Sequence, residues 1–163
     1  MNEPIKGHIH IEVLNEQKSA VCREILESLP EWFGIPEAID SYAKGVVDLP
    51  MLVAKASSGL IIGFIALKPQ TPSAVEAYVL GIRREWHRKG CGHLLFEAAE
   101  KMALDLDAKF LTVKTLASSH PDPHYKATRL FYEAIGFVPI EVFPGLWSPK
   151  NPCLLMAKTL KRS

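Results

Sequence analysis

The stretch from Tyr78 to Leu95 reads YVLGIRREWHRKGCGHLL and changes character twice. An apolar run ending near Ile82 predicts a strand, a basic loop follows, and a helix is predicted directly after Gly90 and Gly92. Glycines let a backbone approach a ligand closely and adopt positive φ. A helix N-terminus adds N–H groups without intrahelical acceptors and a partial positive charge, so the segment predicts an anion site large enough for a pyrophosphate. Arg83, Arg84, Arg88 and Lys89 add cationic charge to the neighbourhood. The dinucleotide fingerprint G-x-G-x-x-G fails, because its third glycine falls on Leu95, and G-x-x-x-x-G-K-[ST] occurs nowhere.

Upstream, Ile9 to Leu14 predicts a short strand, and Ser19 reads as the cap of a helix carrying Val21, Ile25 and Leu29, which Pro30 ends. Glu37 to Val46 predicts a second helix. Met51 to Ala56 and Leu60 to Leu67 predict a hairpin about Ser57, Ser58 and Gly59, and Val75 to Ile82 the next strand after turn residues Pro69 and Pro72. Downstream, Leu94, Leu95, Ala98, Ala99, Met102 and Leu106 mark one face of a long helix beginning near Gly92. Phe110 to Leu116 predicts a strand, Ala127 to Ile135 a helix stopped by Gly136, and Phe137 to Phe143 and Cys153 to Thr159 two closing strands. This is an α/β chain with a mixed sheet.

A length of 163 residues fits one domain spanning 1–163. The chain is 48% hydrophobic and 23% charged, and no run approaches the roughly 20 apolar residues of a membrane span. Nineteen basic against 18 acidic residues leave a net charge of +1, which points to neither nucleic acid nor an anionic membrane as partner. Met1 to Pro4 lacks the features of a secretory signal, and Cys22, Cys91 and Cys153 have no paired spacing, so free thiols and a cytoplasmic location are expected, with no metal site. His8 and His10 form H-x-H without a further ligand motif and are discounted as zinc ligands.

The loop His87-Arg88-Lys89-Gly90-Cys91-Gly92 resembles motif A of the GNAT superfamily of N-acetyltransferases, [QR]-x-x-G-x-[GA] after a strand, with His87 at the Gln or Arg position. Tyr125 to Phe137, YKATRLFYEAIGF, resembles motif B, whose Tyr-x-x-x-Gly-Phe falls on Tyr132, Gly136 and Phe137. The family often has Asn where Tyr125 stands. The resemblance implies a single-domain fold with helices on both faces of the sheet and a splayed pair of parallel strands, here Val75–Ile82 and Phe110–Leu116, between which coenzyme A sits. It implies acetyl-coenzyme A as co-substrate and a small-molecule or peptide amine as acceptor, and it leaves a homodimer open.

Carried over by position, backbone groups of Leu80 and Ile82 bind the pantetheine, with an N–H near Leu80 polarising the thioester carbonyl. The amides of Arg88, Lys89, Gly90, Cys91, Gly92 and His93 hold the pyrophosphate, and Tyr125 or Thr128 replaces the family asparagine. An ammonium has no lone pair, so a base is needed. Glu76, in an apolar strand with Tyr78, Leu80 and Ile82 on its face by alternation, is the candidate base, and Tyr132 the candidate acid for the departing thiolate. Strand-end and core-packing roles remain open for these two, as do a non-catalytic coenzyme A sensor and a longer acyl donor. His120 and His124, flanking Pro121 to Pro123, could contact substrate, act as base or coordinate metal, with a solvated loop the reading preferred, and Trp147 to Cys153 has no assigned role.

Overall fold

The structure is a computed structural model describing residues 8–162. Met1 to Pro4, read above as lacking a signal, lies outside the described residues. The elements are β1 (His10–Val13), α1 (Lys18–Glu27), α2 (Pro36–Gly45), β2 (Met51–Lys55), β3 (Ile61–Thr71), β4 (Ala74–Ile82), α3 (Cys91–Asp105), β5 (Phe110–Leu116), α4 (Pro123–Ala134), β6 (Val138–Ser148) and β7 (Asn151–Thr159). The strands form one seven-stranded sheet in the order β1-β2-β3-β4-β5-β7-β6. Pairing is antiparallel for β1/β2, β2/β3, β5/β7 and β6/β7 and parallel for β4/β5, so the sheet is mixed as expected. The parallel register joins Ala74 to Phe110, Val75 to Leu111 and Glu76 to Thr112.

The chain forms two compact units, one comprising residues through Lys68 with Ala77–Met102, the other Pro69–Glu76 with Ala103 onward. In the first, Cys22, Ile25, Leu26 and Leu29 of the α1 region and Ile39 of α2 pack with Met51, Val53, Phe64, Ala66 and Val79 from β2, β3 and β4. Burial of such side chains is the main stabilising term, about 1.5–3 kcal/mol each. Gly63, whose neighbour Phe64 faces that core, looks the other way: a Cβ there would meet Leu95 of α3 at 3.3 Å. Helices therefore cover both faces of this part of the sheet.

Strict alternation does not hold along β4. Tyr78 packs edge-on against Tyr42 of α2, 5.3 Å between centroids, and its successor Val79 belongs to the same α1–α2 core. A Cβ on Gly81 would meet Ile25, Leu26 and Leu29, whereas Ile82 lies beside Gly63 on the α3 face. The pattern slips by one residue between Tyr78 and Val79, as an extra residue in a strand produces. The expectation that Tyr78 and Ile82 share a face is thereby corrected; strand periodicity cannot register such a slip from sequence.

In the second unit, β5 pairs with β7 along its whole length, from Phe110–Thr159 to Leu116–Cys153. Its Leu111, Val113 and Thr115 are buried. Helix α4 begins a turn earlier than expected. Asp122 caps it, accepting hydrogen bonds from the backbone N–H groups of His124 at 2.8 Å and Tyr125 at 3.4 Å, and Pro123 occupies the first turn, where a missing N–H costs nothing. At its other end Phe137 N–H donates to the Tyr132 carbonyl and Gly136 N–H to that of Glu133, with Gly136 at φ 108. This is the Schellman stop. By contrast Ser19 is not the cap of α1: Gln17, at φ 58, precedes that helix with no side-chain cap, and the helix ends at Glu27, before Pro30.

Candidate functional site

The glycine loop belongs to the first unit. Arg84–Trp86 make one 3-10 turn after β4, which returns the chain so that the His87 Nε2 lies 2.6 Å from the Ile82 carbonyl oxygen. Trp32 meets the His87 ring edge-on at 5.4 Å. His87 thus fastens the loop to the end of β4. Arg83 donates to the Ile61 carbonyl at 2.8 Å and pairs with Glu24, and Arg84 pairs with Glu31. These two cations are already compensated by carboxylates, so the loop's positive character rests on Arg88, Lys89 and the helix end.

Arg88 at φ 63 and Gly90 at φ 86 both occupy the left-handed region, which a non-glycine residue adopts uncommonly. The first bond of α3 runs from Leu94 N–H to the Gly90 carbonyl at 3.2 Å, placing the amides of Cys91, Gly92 and His93 in the first turn, at the positive end of the helix. The arrangement fits a phosphate group. Cys91 itself is 1% exposed, and burial pushes its thiol up to about 12, overriding the downward pull of a helix N-terminus. It serves packing and is no thiolate nucleophile. Leu80 and Ile82 stand on β4 just past the slip, and Ile82 offers its carbonyl to His87.

The remaining candidates lie in the second unit. Glu76 is 4% exposed. Gln70 Nε2 donates to its Oε1 at 2.6 Å, and Lys114 Nζ to its Oε2 at 3.1 Å. A carboxylate carries about four lone-pair positions, so both oxygens keep capacity for a further donor. Gln70 and Lys114 were not singled out in the sequence. Lys114 is the only charged residue of β5, a signal that could have found it.

Tyr132 is 5% exposed, between Phe131 at 6.0 Å and Phe137 at 5.7 Å. Its carbonyl accepts the Schellman bond, and its ring makes the hydrophobic contact that accompanies that stop. The spacing Tyr-x-x-x-Gly-Phe therefore has a folding explanation in addition to any chemical one. Tyr125 occupies the first turn of α4, and burial, aided by the Asp122 charge, pushes its phenol up to about 12, so it acts only as a neutral hydrogen-bonding group. Thr128 Oγ1 donates to the His124 carbonyl at 3.1 Å. His120 Nδ1 accepts the Asp122 N–H at 3.3 Å, and His124 Nδ1 lies 3.3 Å from Asp122. Against the upward push of desolvation, the His124 and Tyr125 amides and the His124 ring hold the Asp122 carboxyl below its usual value. Both histidines thus organise the start of α4.

Among the described residues no group of three or more His, Cys, Asp or Glu side chains could hold a metal ion, the three cysteines are free and buried, and no helix is long and apolar enough to cross a membrane.

The sequence matches the acetyltransferase (GNAT) domain over residues 48–139, more than half of the chain. No curated protein matches it significantly. Among solved structures, a protein assigned to the GNAT family from Desulfovibrio desulfuricans superposes with a TM-score of 0.77 at 18% identity, covering 94% of this chain and 99% of that one. A GNAT family acetyltransferase from Elizabethkingia anophelis with acetyl-CoA bound gives 0.74 at 18% identity, over 95% and 100%. An aminoglycoside 6'-N-acetyltransferase complexed with coenzyme A gives 0.71 at 16%, over 94% and 98%. The chain belongs to the GNAT family of acetyltransferases.

Proposed function

We propose that the chain acts as one catalytic domain, an N-acetyltransferase that moves an acetyl group from acetyl-coenzyme A to a primary amine of a small molecule or peptide by direct attack. The observation that carries this is the left-handed Arg88 and Gly90 pair opening directly into the N-terminus of α3, within the matched family domain. The amides of Arg88 to His93 bind the pyrophosphate; Leu80 and Ile82 offer backbone groups to the pantetheine, with Tyr125 and Thr128 as further polar contacts. Acetyl-coenzyme A supplies the activated thioester.

The slip after Tyr78 takes β4 out of regular alternation, which frees backbone groups from a regular ladder. It supports the N–H near Leu80 as the donor to the thioester oxygen, where negative charge develops. Glu76, directly or through a water, takes the proton from the attacking amine. The Tyr132 hydroxyl gives a proton to the departing thiolate. Free, buried thiols suit a reducing compartment, and we place the reaction in the cytoplasm.

Thiol release from acetyl-coenzyme A across an amine panel, with Glu76→Gln and Tyr132→Phe beside the wild type, tests the reading. Release that requires an amine and falls at least about tenfold in each variant supports it. A protein that binds acetyl-coenzyme A but releases thiol with no amine in the panel is instead a coenzyme A sensor. One observation favours that second reading: both oxygens of Glu76 are already engaged by Gln70 and Lys114. Faster release from longer acyl donors would reassign the acyl group.

A further inference from the structure

The ion pair of Glu76 and Lys114 is strongly asymmetric. The carboxylate side chain is 6% exposed, the lysine side chain 32%. Gln70 approaches the carboxylate on one oxygen and Lys114 on the other, and the buried Cys153 thiol is close enough to feel both charges. On β5, Leu111, Val113 and Thr115 turn one way into the core, while Thr112, paired with Glu76, and Lys114, paired with Leu155, turn the other. The member of the ion pair more accessible to solvent is therefore the lysine side chain.

An ammonium has three donors, and among the described residues Glu76 takes the one that is bonded. The buried carboxylate fixes the position of Nζ and leaves donors for an anion arriving from solvent. Among the described residues Lys114 forms no ion pair besides the one with Glu76: Arg129 donates to the Leu116 carbonyl at 2.7 Å, and Glu141, opposite Leu155, has its backbone two strands away. Already paired with Glu76, the ammonium offers a ligand its remaining N–H donors, which one anionic group can accept and a purely cationic acceptor cannot.

We infer that Lys114 selects the acceptor: its ammonium receives a carboxylate, so the preferred substrates are primary amines that also carry a carboxylate, the amino acid class, rather than polyamines or other polycations. This rests on the acetyltransferase reading. The bond gained is a charge-assisted one, which predicts a preference of about tenfold to a hundredfold in kcat/KM, expressed mainly in KM.

The test compares a set of α-amino acids with their α-amides, and with spermidine, as acceptors for the wild type, Lys114→Gln and Lys114→Arg, while titration with acetyl-coenzyme A monitors the donor site. Expected are lower KM values for the free acids, loss of that preference in Lys114→Gln, and its retention in Lys114→Arg, which keeps the cation beside Glu76. The ratio of acid to amide cancels any general loss of activity from an altered Glu76. Intact acetyl-coenzyme A binding with amides or spermidine used as well as the acids would overturn the inference and leave the transferase standing. No acetyl-coenzyme A binding by folded protein would overturn both.

Discussion

Gly90 offers a direct test of the anion site, because the effect of charge there can be separated from the effect of shape. Its φ of 86 lies where most side chains are strained, but Asn and Asp enter this region more readily than others. Gly90→Asn and Gly90→Asp are nearly isosteric, so each should cost about 1 kcal/mol of stability and lower Tm by roughly 2–4 °C. Only the aspartate adds a negative charge at the mouth of α3. At about 6 Å and an effective dielectric of 40–80, each ligand charge is repelled by about 0.7–1.4 kcal/mol. Two charges on a pyrophosphate give about 1.5–3 kcal/mol, a Kd for acetyl-coenzyme A roughly tenfold to a hundredfold weaker in Asp than in Asn. Isothermal titration at low and high salt reads this directly, with the gap narrowing as salt rises. Matched melting temperatures with equal Kd values in the two variants would refute the placement of the pyrophosphate.

Tyr132→Phe keeps the ring that Phe131 and Phe137 pack against, so turnover should fall at least about tenfold while Tm stays within a few degrees; unchanged turnover with chemistry rate-limiting removes the hydroxyl from the mechanism. Gly136→Ala forces a side chain to φ 108 with its Cβ 3.1 Å from Lys158 Cε, and should cost about 1–2 kcal/mol by denaturant titration, since the Schellman stop is strained. Alkaline pH should destabilise the fold: burial pushes Cys22 and Cys91 from 9.0 up to about 12, so the unfolded chain sheds these protons first. Stability present below pH 9 is then lost as pH rises toward 12, and a Tm constant from pH 9 to 11 would contradict it.

Elements whose signals are local were legible. The strand over Phe110–Leu116 was read to the residue, and α3 within one residue of its start, because an apolar run or stripe bounded by turn chemistry needs no tertiary information. The start of α4 was missed although Asp122-Pro123 is a cap followed by a first-turn proline, since His120 and His124 drew the segment toward a functional loop. Sequence alone places Arg83 and Arg84 among the cations that add positive charge near the loop. Their partners Glu24 and Glu31 are more than fifty residues away, and no local pattern announces them.

Motif B illustrates why a motif and a mechanism must be argued separately. Gly136 is needed because the backbone turns to φ 108, Phe137 because its amide and ring close the helix, and Tyr132 because its carbonyl and ring receive them. Folding alone would select an aromatic, then three residues, then Gly-Phe. The stop itself uses the Tyr132 carbonyl and ring, so the chemical claim on Tyr132 concerns its hydroxyl. Glu76 stands in the opposite position, because its burial disfavours a charge unless something answers it, and Lys114 and Gln70 supply that answer. Packing explains the tyrosine ring without catalysis, whereas the Glu76 carboxylate is answered within the fold by Gln70 and Lys114, so its proposed role as base stands or falls on turnover in Glu76→Gln compared with the stability of the same variant.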